Sequence, residues 1–501
     1  MRRATSAVLV ALAAALAAPA AAPAARTQES LVSDDRQFLA LGPAAREAAL
    51  NDALALGADG LRTVVAWRTI APVRRPRGFA PRDPGAYAAE RWDALDDLVR
   101  GARARSLSVL LSPSTPAPDW ASGCDASVRA ARRSVCLPSP EQYRAFVTAL
   151  GRRFSGTYAD ENQDRAPLPR VERWSFGNEP NQPAWLYPQL ARRRGITYVA
   201  SAVHYRALVR SGLRALRATG HAADLVLVGE TAASGRTSGG LAARPVPPQR
   251  FLRDFFCLDA AGRALTGRAA AVRDCAGVRR LSVSGVAHHP YPGGGSRSPL
   301  ARGDAARDIA VASSGRLTRI LDAAAARGRI PRRLPLHYTE LGFQSSPPDR
   351  RLGVPLAAQA SFLNQADWLA WRDPRVRAVA QYLLVDDPGR DTFQSGLRFA
   401  DGREKPAFAA WRFPLWVARD GDAKLTVYGQ LRPLASRAPA SIEIQNAPLA
   451  FGDFTTVETV AVGSENGSFS VSVDRREGRW RLRWAPAPGF ELLSREAVAA
   501  A

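Results

Sequence analysis

Short apolar runs rich in β-branched residues alternate with amphipathic stretches through the first four-fifths of the chain. The runs are Leu61–Trp67, Leu107–Ser112, Arg173–Asn178, Leu225–Gly229, Val283–His288, Leu334–Thr339 and Val379–Val385, with a weaker candidate for a first strand at Gln37–Leu41. Between them, apolar positions recur at helical spacing in Ala44–Leu56, Trp92–Arg105, Glu141–Phe154, Tyr198–Ala218, Arg316–Arg327 and Leu356–Trp371. A strand covered on both faces reads as a continuous apolar run, whereas a helix laid against it shows a 3.6-residue period. Eight strand–helix units in about 390 residues predict an α/β fold, a (β/α)8 TIM barrel with enlarged loops. An open doubly wound sheet is the alternative, but no glycine-rich phosphate fingerprint follows an early strand.

The pattern changes near residue 415. Short alternating segments take over at Leu425–Tyr428, Ser441–Gln445, Thr455–Ala461, Ser468–Val473 and Arg479–Trp484, which predicts a small antiparallel β-sandwich. Asn466-Gly467-Ser468 fits a glycosylation sequon, but Asn-Gly between two strands reads first as a hairpin turn. Trp480 and Trp484 are core candidates of that unit. The expected division is therefore a leader over 1–25, a barrel over 26–415 and a sandwich over 416–501, the last two packed directly together.

Residues 1–25 carry the leader signature: Arg2 and Arg3, an apolar stretch Ala7–Ala18, and small residues at Ala20–Ala25. This is the form of a secretory signal peptide, with an uncleaved anchor as the alternative. The four cysteines, Cys124, Cys136, Cys257 and Cys275, fit export to an oxidising compartment. They allow three disulfide connectivities, and sequence-adjacent pairing would close two short loops. No C-x-x-C occurs, so neither zinc nor thioredoxin-like chemistry is expected. After the leader no apolar run is long enough for a membrane helix.

The net charge of +23 first suggests a polyanionic partner. The excess is nearly all arginine, Lys405 and Lys424 being the lysines, and it is scattered along the chain with heavy Ala, Pro and Gly usage. A GC-rich coding bias accounts for that, and no specific nucleic-acid binding is expected.

In a β/α barrel, reacting groups project from the C-terminal strand ends. The fourth run ends Asn178-Glu179-Pro180-Asn181, and the seventh ends Thr339-Glu340-Leu341-Gly342-Phe343. Two glutamates facing one another across a barrel mouth can cleave a glycosidic bond, one entering protonated as acid and the other ionised as nucleophile. They could instead be structural ion pairs. Glu230 ends the fifth run as a third carboxylate, a binding group or competing acid that ranks below Glu179 because no Asn precedes it. Asp386 and Asp387 end the eighth run and are expected to bind hydroxyls or cap a loop. Trp67, Trp120, Trp185, Tyr291 and Tyr382 lie at or just after strand ends, each either a sugar-stacking platform or core packing.

At these residues the chain resembles clan A of the glycoside hydrolases, retaining (β/α)8 enzymes, over roughly residues 35 to 415. Asn178-Glu179-Pro180-Asn181 is similar to that clan's acid/base motif after strand 4, and Thr339-Glu340 to its nucleophile motif after strand 7. The resemblance implies that Arg62 holds the nucleophile, that Asn178 binds the sugar 2-hydroxyl, and that Tyr291 of His289-Pro290-Tyr291 bonds the nucleophile oxygen. Arg62 could otherwise be a surface arginine. His289 could be a scaffold residue, and His288 is more readily one. Two departures leave the subfamily and the sugar open. Tyr382 stands nearest to where many members have a strand-8 tryptophan, and Leu111-Ser112-Pro113 replaces the histidine frequent in family 5. Thr115-Pro116-Ala117-Pro118-Asp119-Trp120-Ala121 looks more like family 39. The expected protein is a secreted, monomeric, retaining O-glycosyl hydrolase acting on oligo- or polysaccharide without metal or organic cofactor. The alternatives are a silent barrel that binds extracellular polysaccharide and a basic surface-adhesion protein.

Overall fold

The computed structural model describes residues 27–500, apart from 126, 163, 390–391, 434–439 and 464–465. The leader segment 1–25 lies outside the described residues. Eight parallel strands form a closed ring: β1 (Glu29–Ser33), β2 (Gly60–Ala66), β3 (Ser108–Ser114), β4 (Arg173–Ser175), β5 (Leu225–Ala232), β6 (Gly285–His289), β7 (Leu336–Leu341) and β8 (Val376–Tyr382). Each is followed by a helix of the same number: α1 (Pro43–Leu56), α2 (Asp93–Ala104), α3 (Pro140–Arg153), α4 (Ala200–Ala218), α5 (Pro248–Phe256), α6 (Gly315–Ala326), α7 (Leu356–Arg372) and α8 (Pro406–Arg412). The helices lay their apolar faces on the ring, so both faces of the strands are dry and the apolar runs are buried along most of their length. Local signals set the helix starts; in α3, Pro140 occupies the first turn and the Ser139 hydroxyl accepts from the Gln142 N–H at 3.3 Å.

The first strand differs from expectation. Gln37–Leu41 is not a strand: Arg36–Ala40 forms one wide helical turn that buries Phe38, and the strand is Glu29–Ser33. That segment holds only Leu31 and Val32 as apolar residues. It becomes a strand because ring closure pairs it on one edge with β2 and on the other with β8.

The C-terminal unit holds β9 (Leu415–Asp420), β10 (Lys424–Gln430), β11 (Ala440–Ala447), β12 (Thr455–Val462), β13 (Ser468–Asp474), β14 (Arg479–Ala487) and β15 (Phe490–Leu493). They form two antiparallel sheets ordered β9-β10-β13 and β12-β11-β14-β15, which share one core containing Val427, Ile442, Ile444, Trp480 and Leu482. Asn466-Gly467 is therefore not a hairpin turn, because it links β12 of one sheet to β13 of the other. There the Asn466 amide donates to the Gln28 carbonyl at 2.9 Å.

This unit docks on the N-terminal end of the barrel. The Arg432 guanidinium stacks 4.0 Å from the Trp411 ring, pairs with Asp367 at 3.0 Å and donates to the Ser30 hydroxyl at 2.8 Å. Gly57 permits the contact: it closes α1 with φ +77°, and a Cβ there would lie 2.3 Å from the Arg432 backbone. Among the described residues, no helix is long and apolar enough to cross a membrane.

Candidate active site

Arg62, fully buried on β2, organises the barrel mouth from below. Its guanidinium donates to Glu340 at 2.7 Å, to the side-chain amide oxygen of Asn178 at 2.6 Å and to Glu230 at 2.9 Å. One side chain thus links β2, β5 and β7 with the segment after β4. Its planar fork suits this task better than a lysine point charge. Burial opposes the guanidinium charge, but Glu230, Glu340 and Asp35 outweigh it and hold the group protonated. Asp35, just past β1, accepts from the Thr63 hydroxyl at 2.7 Å and the Val64 N–H at 2.9 Å.

Glu230 reaches this cluster through a β-bulge. Between β5 and β6 the register skips from Gly229 to Thr231, and Glu230 itself has φ +46°. The extra residue turns its carboxylate inward. One oxygen then accepts from Arg62, from His289 at 2.8 Å and from the Thr339 hydroxyl at 2.9 Å. Burial works against its charge, yet Arg62 and His289 prevail and lower its pKa to about 2. Glu230 is accordingly a fixed anion and not a competing acid.

His289 closes β6 with both ring nitrogens facing carboxylates: Nε2 toward Glu230, and Nδ1 toward Glu179 at 3.1 Å and Glu340 at 3.6 Å. Burial alone would strip its second proton, but the Glu340 charge and the bonds to Glu179 and Glu230 raise the pKa to about 10. It is an imidazolium at neutral pH. The neighbouring His288 differs. Burial lowers it to about 4, and its ring is held by the Thr231 hydroxyl and the Ile309 carbonyl, a scaffold arrangement.

Glu340, near the end of β7, is almost fully buried. Burial raises its pKa, as do the Glu179 and Glu230 charges, while His289 and Arg62 pull the other way. The Tyr291 hydroxyl donates to its second oxygen at 3.2 Å. Glu179 sits higher, its side chain 22% exposed and its backbone at φ +37°. The turn behind it is braced by Tyr205 of α4, whose hydroxyl donates to the Phe176 carbonyl at 2.6 Å and accepts from the Gly229 N–H at 2.9 Å. Asn181 clips the same turn to β5 by exchanging hydrogen bonds with Ala232. Oxygens of Glu179 and Glu340 approach within 4.8 Å of one another.

Together with His289, these two carboxylates have the spacing of a metal-ligand set.

The structure thus brings together Glu179, Glu340, Arg62, Asn178, His289, Tyr291 and the third carboxylate Glu230, and adds Asp35. Arg62 has no exposed surface to offer a sugar; it touches carboxylates and the Asn178 amide. Trp67 is buried too, stacked on Phe146 with ring centroids 5.5 Å apart, so it is core and not a platform. Trp120 is half-buried over the loops after β2 and β3; its N–H donates to the Pro72 carbonyl and Arg75 lies over its ring. Trp185 lines a small hollow beside Asn178. Tyr382, at the end of β8, meets Phe393 edge-on and lies within reach of the Glu340 charge. Asp386 is a buried scaffold carboxylate paired with Lys405 at 2.7 Å, and Asp387 accepts from the Phe393 N–H. Cysteines pair in sequence order, Cys124 with Cys136 and Cys257 with Cys275.

No family model and no curated protein matches the chain. Among solved structures, a family 39 glycoside hydrolase from Bacteroides cellulosilyticus WH2 is 14% identical, covering 90% of this chain and 81% of its own, with TM-score 0.50. A GH5_18 protein from Streptomyces cattleya is 18% identical over 77% of this chain and 79% of its own, TM-score 0.46. A family 1 β-glucosidase from Thermotoga maritima is 12% identical over 77% and 96%, TM-score 0.46. At this level of identity the first likeness speaks for a shared fold.

Proposed function

We propose that the chain is a secreted retaining glycoside hydrolase that cleaves β-glycosidic bonds of an oligo- or polysaccharide. The observation that carries this reading is the approach of Glu179 and Glu340 oxygens to within 4.8 Å across one barrel mouth. Retaining glycosidases hold their two carboxyl groups about 5–5.5 Å apart, whereas inverting ones leave about 6.5–9.5 Å for a water. The family 39 glycoside hydrolase of similar fold is in keeping with it.

Glu340 attacks the anomeric carbon as the leaving-group oxygen takes the proton of Glu179. The bond from sugar to leaving group breaks, and a glycosyl ester forms on Glu340. Glu179, now ionised, takes a proton from water, and the hydroxide oxygen displaces Glu340 with net retention. Arg62 and Tyr291 hold Glu340 on line. The carbonyl side of Asn178 is taken by Arg62, which leaves its N–H side to donate to the sugar 2-hydroxyl. Two disulfides support an oxidising destination.

A panel of aryl β-glycosides tests the assignment. Glu340→Gly is expected to lose turnover by roughly 10⁴-fold or more. Azide should restore it, giving a glycosyl azide of inverted anomeric configuration. Full activity in Glu340→Gly would end the reading.

A further inference from the structure

Arginines that are far apart in the sequence meet on the outer face of the barrel, away from the catalytic mouth. Arg206, Arg210 and Arg214 stand at one-turn intervals along α4 and line an open hollow of about 310 Å³. The segment after the Cys257–Cys275 disulfide adds Arg279 and, bonded to that segment, Arg329, whose Nη1 donates to the Val278 carbonyl at 2.7 Å. Both bear on Arg210 by charge. The acids nearby are already engaged: Asp254 with Arg273 at 2.9 Å and Asp274, on the rim, with Arg193 at 3.0 Å. Arg206 is buried and spends its donors on main-chain carbonyls of Asp254 and Phe255 and on the Cys257 sulfur. Among the described residues, Arg210 Nη2 and Arg329 Nε are buried without a hydrogen-bond partner.

The like charges of Arg210, Arg214, Arg279 and Arg329 around one hollow cost free energy unless an anion joins them. We propose that this face of α4 is a binding site for a polysaccharide bearing carboxylate or sulfate groups, separate from the catalytic mouth. Arg210 and Arg214, one turn apart on α4, with Arg279 and Arg329 on neighbouring segments, suit a polymer with repeated anionic groups better than a single small anion. The lining around them is Pro140, Val203, Ala207 and Ser211, with no ring on which a base could stack, which disfavours single-stranded nucleic acid.

The test is retention on immobilised dextran sulfate and on immobilised oligothymidylate across a salt gradient. Because the whole chain is basic, Arg210→Gln/Arg214→Gln/Arg279→Gln is compared with a control of equal net charge, Arg74→Gln/Arg77→Gln/Arg350→Gln. The α4 triple should bind dextran sulfate on the order of tenfold to a hundredfold more weakly at low salt, and elute well before the control. Its thermal midpoint should be no lower than that of the parent chain, and its turnover of aryl glycosides should match the parent. Co-elution of the two triples would overturn the site. An equal loss on oligothymidylate would overturn the polysaccharide assignment. Binding is read without turnover, so this proposal and the hydrolase reading fail independently.

Discussion

Glu230 and His289 titrate in opposite directions, which makes their contribution to stability readable from its pH dependence. Glu230 is lowered to about 2, so the stability it adds is complete above the ordinary carboxylate range and is lost as pH falls from about 4.5 toward 2. His289 is raised to about 10, so its contribution is complete below about 6.5 and is lost as pH rises toward 10. Glu230→Gln keeps the shape and removes the charge. It should cost about 3 kcal/mol near pH 6, with the gap to the parent closing below pH 4.5 in denaturant titrations. A gap that is flat with pH would mean that the carboxylate charge is not what stabilises the site. Arg62→Ala should cost about 3–5 kcal/mol, because it takes from Glu230 and Glu340 one of their two buried counter-charges and leaves only His289. Glu179 and Glu340 stand out in the linear chain because each lies in a run of residues with one chemical meaning. Glu230 does not, since its inward turn depends on a register skip against β6.

That skip is set by how β5 packs against β6. Gly229 has φ +118°, and a Cβ there would lie 2.5 Å from the Ala287 carbonyl oxygen on β6. Gly229→Ala should therefore loosen the bulge and swing Glu230 off Arg62. Activity should fall while the circular dichroism of the barrel is retained; unchanged turnover would show that the bulge does not set the site. The disulfide from Cys257 to Cys275 pins the segment after α5, and replacing both cysteines by alanine should cost about 2–4 kcal/mol by chemical denaturation. Long elements were legible: α1 through α4, α6 and α7 lie within two residues of the expected spans because their periodicity runs over several turns. Short ones were not. The hairpin of Leu190–Arg193 with Ile196–Val199, and strands β9 and β15, carry too few alternations to separate from loop.

Across the whole molecule, the sandwich and the clustered carboxylates lie at opposite ends of the barrel. The sandwich touches Gln28, Ser30 and Gly57, all at or before the starts of β1 and β2, whereas the clustered acids stand at strand ends. Its contacts with the barrel lie away from the clustered carboxylates. Trp371 donates its N–H to the Ser468 hydroxyl at 3.1 Å and tilts against Tyr428, 5.1 Å between ring centroids. Arg432→Ala would leave Asp367 buried without its partner and should cost about 3–5 kcal/mol. Calorimetry should then show the joint transition weakened, with KM for an aryl glycoside unchanged. The charge of the molecule illustrates the same distance between chain and fold. Arginines scattered along the sequence are gathered by α4 and two loops into one basic face.

The sequence by itself determined which stretches become strands buried on both sides, which become amphipathic helices, and which two glutamates end strands 4 and 7. Those properties are local, set by the periodicity of apolar residues and by short runs of polar ones. Tertiary structure alone decided that Glu29–Ser33 is the closing strand, that Trp67 is core, that Glu230 joins Arg62 and His289, and that the arginines of α4 meet Arg279 and Arg329. Each of these depends on pairing between segments distant in the chain. Hydrogen-bond register and charge proximity exist only after the ring has closed.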